Sequence, residues 1–311
     1  MLELRKCGRM KLLGKYKNGN YNTYIYSDGT RIRETEDAEF HPAFAENIDI
    51  KLCNRCDRGC AYCHEGSTKD GALGNILTEP FLDTLHPFQE VALGGGNVLE
   101  HPDFVPFLER LKEKQVVANV TLHQRHFEEN QEMLKRLVKE RLIYGLGISL
   151  EKPTKSFINM VKQYPNAVLH TINGVLEPAE LETMADNELK LLILGFKKLR
   201  RGENWYQANQ QEIMEKQAWL KEHLEEYLSR FQVVSFDNLA IEQLDVRRFM
   251  KEQEWEEFYA GDDGTHTFYI DMVERKFAEN STAPQAERYE LLDSVDEMFQ
   301  KVRELYNLKM K

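Results

Sequence analysis

Apolar and polar positions change rhythm twice along the chain. Over residues 12–36, short β-prone runs alternate with turn chemistry: Gly14-Lys15-Tyr16, then Asn18-Gly19-Asn20, then 21–26, then Ser27-Asp28-Gly29-Thr30 before Arg31-Ile32-Arg33. Asn-Gly and Asp-Gly accept the positive φ of tight hairpin turns, so a small antiparallel appendage is expected within 1–45. It would cap one end of the main body or serve a substrate. From Ile48 the pattern becomes strand and helix in alternation. Strands are predicted at 48–52, 90–93, 116–122, 144–150, 167–172, 189–196 and 231–236, with helices at 79–85, 103–114, 128–140, after Lys155, at 177–185 and at 206–230. The 189–196 run is apolar throughout, as a parallel strand covered on both faces requires. Such alternation implies right-handed crossovers and an α/β fold with a parallel sheet over 46–236. An open doubly wound sheet and a barrel both fit, and either puts the loops after the first two strands on one face. Residues 237–311 form an extension that is helical from after Asp245 to Tyr259, turns at Gly261-Asp262-Asp263-Gly264, makes a hairpin over 265–277 and ends in a helix over 286–308. It is expected to cover the bottom or side of the sheet.

Composition narrows the function classes. The 311 residues are 41% hydrophobic and 30% charged, with a formal net charge of −11. That balance repels phosphate backbones and anionic lipid, which argues against broad nucleic-acid or membrane-surface binding. No run approaches the roughly 20 apolar residues of a membrane helix, and the segment from Met1 to Lys6 lacks the apolar core of a signal peptide. A cytoplasmic location is expected. The odd, clustered set of five cysteines fits a reducing compartment better than a disulfide framework.

Four of those cysteines stand in Cys53-Asn54-Arg55-Cys56-Asp57-Arg58-Gly59-Cys60-Ala61-Tyr62-Cys63, directly after the 48–52 strand. Cys56, Cys60 and Cys63 have the spacing CxxxCxxC. Thiols this crowded on a loop point to a metal site, since a disulfide needs only two partners. If Cys53 were a fourth ligand, the site would be closed, as in structural zinc or an electron-transfer cluster. With Cys53 at the end of its strand and set aside, one iron of a four-iron cluster stays open to a non-protein ligand. Cys7, standing alone, reads as a buried or harmless thiol.

The run from Cys56 to Cys63, with an aromatic before its last cysteine, resembles the signature of the radical S-adenosylmethionine (radical SAM) superfamily. The resemblance implies a partial (β/α)6 TIM-type barrel and one 4Fe-4S cluster held by Cys56, Cys60 and Cys63. It further implies S-adenosylmethionine chelated to the fourth iron and cleaved reductively to a 5′-deoxyadenosyl radical that abstracts hydrogen from a substrate. Leu93-Gly94-Gly95-Gly96-Asn97 resembles the family's glycine-rich segment after the second strand, which binds the methionyl amino group. Asn97 stands where Glu is common, and its amide oxygen can accept from an ammonium without the ionic component. By the same resemblance Tyr62 packs near the adenine, and Ser149 and Asn173, at the ends of the fourth and fifth strands, contact the cofactor. An electron donor such as flavodoxin or ferredoxin would be the protein partner.

Substrate candidates come from position and charge. Asn119, Thr121 and His123 share one face of the third strand. Lys197, Arg200 and Arg201 follow the sixth strand and could hold a phosphate or carboxylate. His64-Glu65 could tune the cluster or order its loop. With no cysteine after Cys63, auxiliary clusters are not expected. The substrate is expected to be a small or nucleotide-like, possibly anionic molecule. A peptide or protein is the second choice, and a non-catalytic zinc scaffold with all four loop cysteines as ligands is the alternative from another class.

Overall fold

The computed structural model describes residues 11–309, so Cys7 lies outside the described residues. Strands β1 (Leu12–Asn18), β2 (Tyr21–Tyr26) and β3 (Arg31–Glu34) form a separate antiparallel sheet in the order β1-β2-β3. Its first turn requires glycine: Gly19 has φ +58°, and a Cβ there would sit 1.8 Å from the His41 carbonyl oxygen. The main body starts with β4 (Asn47–Cys53) and β5 (Glu90–Gly95). Then come α1 (Phe104–Glu113), β6 (Val117–His123), α2 (Gln124–Glu129), α3 (Gln131–Lys139) and β7 (Gly145–Ser149). They are followed by α4 (Lys155–Val161), β8 (Ala167–Ile172), α5 (Pro178–Met184) and β9 (Lys190–Leu194). Next are α6 (Arg201–Leu228), β10 (Val233–Phe236), α7 (Asn238–Leu244) and α8 (Glu252–Phe258). The extension ends with β11 (Thr267–Asp271), β12 (Lys276–Ala278), β13 (Tyr289–Glu290) and α9 (Val295–Lys309).

One ten-stranded sheet runs β10-β9-β8-β7-β6-β5-β4-β11-β12-β13, parallel from β10 to β11 and antiparallel beyond. The architecture is α/β, a partial TIM-type barrel. Alternate residues such as Ile48, Ile50, Leu93, Val120, Ile148 and Leu169 join Phe107, Leu134 and Phe157 of the helices in one core. The opposite strand face carries Thr121, Ser149 and His170 and lines a hollow. No helix among the described residues is long and apolar enough to cross a membrane.

The N-terminal sheet sits against the N-terminal ends of the barrel strands. Arg31 bridges Glu46 (2.6 Å) and Glu90 (2.7 Å), the Asn166 amide donates to the Ser27 carbonyl (3.0 Å), and Lys190 Nζ donates to that of Asp28 (3.4 Å). It therefore caps the end opposite the cysteine loop. Glu46 is wholly buried, yet Arg31, Arg33 and the Tyr21 hydroxyl outweigh the burial and hold its carboxyl down at about 2. His266 beside it and His170 in the barrel are both pushed down to about 4 by burial. The unfolded chain therefore binds protons that the native state refuses. Stability is expected to fall as the pH drops from 6.5 to 4 through the histidines, and again between 4.5 and 2 through Glu46. Urea midpoints at pH 7, 5 and 3 measure this, and His266→Gln should flatten the first step; an equal slope in that variant would refute the assignment.

Tertiary pairing changes three expected elements. The 128–140 helix is divided at Asn130, α6 begins at Arg201 and is kinked at Asn209, and the 286–308 segment spends its first residues on a short turn and β13. The 265–277 hairpin, expected as cover, extends the sheet, because β11 runs parallel along β4 and pairs a backbone edge that would otherwise be open. On the other flank, among the described residues, no strand closes the barrel. Polar side chains do so instead: Lys197 Nζ donates to Ser281 Oγ (3.2 Å), Asn238 Nδ2 to Asp263 Oδ1 (2.7 Å), and Arg200 pairs with Glu274 (3.3 Å).

Candidate active site at the cysteine loop

β4 delivers the chain to Cys53, which is fully buried and donates weakly from Sγ to the Arg55 carbonyl (3.8 Å). The loop beyond is pinned by its own return path. The N–H of Asn54 donates to Ala72 O (2.8 Å), that of Cys56 to Thr68 O (2.8 Å) and that of Thr68 to Asn54 O (3.0 Å). Gly59 and Gly66 supply the left-handed turns, at φ +61° and +63°. Cys56, Cys60 and Cys63 are free, half-buried thiols on the wall of a cavity of about 490 Å³ at the C-terminal ends of the strands. Cys53 faces the core instead. Burial pushes the Cys56 and Cys60 thiols up, and the neighbouring thiols add to the effect.

The triple glycine docks on this loop. Gly96 N–H donates to Cys53 O (2.8 Å) and Asn97 N–H to Arg55 O (2.6 Å). A Cβ at Gly96 would lie 2.0 Å from Arg55 O, and one at Gly95, where φ is +114°, 2.5 Å from Cys53 O. The close approach that glycine permits here is therefore backbone to backbone. Gly95 and Gly96 also line the cavity; Gly94 stands in open space at the strand end. The Asn97 amide oxygen accepts from Leu99 N–H (3.3 Å) and its nitrogen donates to Glu100 (3.0 Å), capping a short helical turn. Because backbone cannot yield as a flexible side chain can, Gly96→Ala should displace the cysteine loop. Thiol titration of the metal-free protein should then show Cys56 labelling several-fold faster than in wild type; an unchanged rate would refute this packing role.

The basic run after β9 is also turned toward the loop. Arg201 donates to the carbonyls of Cys60 (3.0 Å) and Ser67 (2.7 Å), and Arg200 to that of His64 (3.0 Å). Arg201 and Lys197 line the cavity, and Arg200 lies outside it. Glu65, buried in spite of its charge, is held low because His64 and Lys51 outweigh desolvation. Lys51, itself 1% exposed, also pairs with the fully buried Asp271 of β11 (3.0 Å). This chain of charges joins the C-terminal extension to the cysteine loop.

Tyr62 sits edge-on to Trp205 of α6 (6.4 Å), and both line the cavity. Ser149 and His123 line it as well. His123 caps α2 by accepting from Arg125 N–H (3.2 Å), and burial lowers its pKa. Asn173 lies outside the lining, its nitrogen donating to Gln243 (3.0 Å). Two cavity histidines escaped sequence reasoning. His126 of α2 is buried with Nε2 2.8 Å from Asp57 beside Cys56, and His170 projects from the middle of β8. His126 lies three residues beyond the end of β6, near enough to the strand end that its position could have marked it. His170 carried no such mark.

The fold has counterparts of known structure. The chain superposes on Streptococcus suis SuiB bound to S-adenosylmethionine with a TM-score of 0.55 and 11% identity, over 85% of this chain and 68% of that one. For SuiB bound to the precursor peptide SuiA the values are 0.52 and 14%, over 85% and 67%. At these identities the likeness is one of fold. No protein-family model matches the chain, and no curated protein matches it either.

Proposed function

We propose that this protein is a radical SAM enzyme with one 4Fe-4S cluster on Cys56, Cys60 and Cys63. The observation that carries the reading is the set of three free thiols on the wall of a sizeable cavity, with Cys53 turned away into the core. The donor set fits the group. Soft cysteine thiolates suit an iron–sulfur cluster, and Cys53, buried in the core, does not share the cavity wall with the other three as a four-cysteine zinc scaffold would require. When bound, the cluster supplies the electron that cleaves S-adenosylmethionine to a 5′-deoxyadenosyl radical.

The residues of this chain would hold and shield that chemistry. Arg201 fixes the Cys60 carbonyl, and the backbone N–H groups of Gly96 and Asn97 fix those of Cys53 and Arg55. Tyr62, Ser149 and the glycine backbone would face the cofactor, and His123 and Lys197 the substrate. Arg201 spends its guanidinium on loop carbonyls and Arg200 on the His64 carbonyl and the carboxylates of Glu65 and Glu274, so of that basic run Lys197 carries the case for an anionic substrate. A small or nucleotide-like molecule remains the leading substrate class. A peptide is the second reading, favoured by the fold shared with a protein solved with its precursor peptide. Anaerobically reconstituted protein should be brown and release 5′-deoxyadenosine when reduced with S-adenosylmethionine. Colourless protein holding one tight zinc would overturn the assignment.

A further inference from the structure

We propose that Thr121 and His170, packed over the buried Gly147, form a notch in the cavity wall that holds an uncharged hydrogen-bonding group of the substrate, a hydroxyl or a carboxamide. The proposal rests on the reading of this cavity as the chamber that takes the substrate. The three residues come from adjacent strands β6, β7 and β8, with Thr121 directly beside Gly147 in the register. A Cβ at Gly147 would lie 2.4 Å from His170 Cε1, 2.7 Å from its Nε2 and 2.8 Å from Thr121 Oγ1. The imidazole and the hydroxyl thus lean over the glycine from its two sides, and only a residue without a side chain leaves them that space.

Both groups line the cavity, and among the described residues neither has a hydrogen-bond partner. Both residues are half-buried, so their unpartnered polar atoms are open to a ligand that enters the cavity. Burial alone pushes the His170 imidazole down to about 4, with no charged neighbour contributing. At neutral pH the ring is therefore uncharged, with one donor and one acceptor nitrogen, and the threonine hydroxyl adds one of each. A charged group placed there would be desolvated without a counter-charge, whereas a hydroxyl or carboxamide matches both partners.

The test uses reconstituted protein saturated with S-adenosylmethionine and labelled with 13C at histidine Cε1. The His170 resonance is assigned by its disappearance in His170→Gln. Acetamide, acetate and methylammonium serve as probes. Acetamide should shift the His170 signal saturably and the two ions should not, with the acetamide dissociation constant rising about fivefold in Thr121→Val, as loss of one neutral hydrogen bond implies. Gly147→Ala should abolish the response; Thr121→Val, nearly isosteric, keeps the test valid if that variant misfolds. A response to either ion at least equal to that of acetamide, no saturable response to acetamide, or an unchanged constant in Thr121→Val would each overturn the proposal. So would a matching loss of S-adenosylmethionine affinity in Thr121→Val, which would give the notch to the cofactor. Iron content and S-adenosylmethionine binding of the wild type test the underlying reading separately.

Discussion

Cys56→Ser, Cys60→Ser and Cys63→Ser are each expected to lose the brown chromophore and to release no 5′-deoxyadenosine above background, whereas Cys53→Ala keeps both. The division follows from where the sulfurs point. Three lie on the cavity wall, and the fourth is sealed in the core at the end of β4. Serine retains the size of cysteine but offers a hard, high-pKa oxygen in place of a thiolate, so a ligand position would lose the cluster without losing the fold. Cys53→Ala removes a buried sulfur and should cost on the order of 1 kcal/mol of stability, read as a lower urea midpoint. Iron and sulfide analysis with visible spectra across the four variants decides the matter. Equal loss in all four would make Cys53 a ligand and restore the closed-site alternative.

The second large effect belongs to a residue without a sulfur. Lys51→Met should destabilise the protein by roughly 3–5 kcal/mol, because it strands two buried carboxylates, Glu65 and Asp271, whose ammonium partner lies 2.9 and 3.0 Å away. Asp271 would keep the N–H groups of Val273 and Glu274 and a distant Arg288 (3.9 Å), and Glu65 would keep His64 and Arg200. Those contacts soften the loss without cancelling it. The triple change Lys51→Met, Glu65→Gln, Asp271→Asn should recover part of it, since no buried charge then lacks its partner. Equilibrium unfolding in urea measures both. A loss under about 1 kcal/mol for Lys51→Met alone would mean that water reaches these ions.

Much of the barrel was legible because its evidence is local. The strand at 167–172 falls on β8 residue for residue, and the helix expected at 103–114 is α1 to within a residue at each end. Parallel strands buried on one face and covered by helices leave a strong pattern in the residues themselves. Boundaries at α2, α3 and α6 were poorer, because breaks at Asn130 and Asn209 depend on what each helix packs against. Arg200 and Arg201 show the same limit in the site. Two adjacent cations at a strand end look like a ligand grip, but both donate to carbonyls of a loop some 135 residues earlier in the chain, and Arg200 also pairs with Glu65 and Glu274.

By itself the sequence determined the alternation of strand and helix, the N-terminal hairpin sheet, the cysteine loop at the end of the first barrel strand and the glycine segment one strand later. Each is encoded by neighbours within a few positions: side-chain period, turn residues, ligand spacing. Only the tertiary structure decided that β11 would pair with β4, that the glycines serve the approach of two backbones, that Lys51 is buried between carboxylates from distant segments, and that His170 and Thr121 converge over Gly147. Those features depend on which strands become neighbours, a choice made by the free energy of the whole sheet and core, which no single stretch of residues carries.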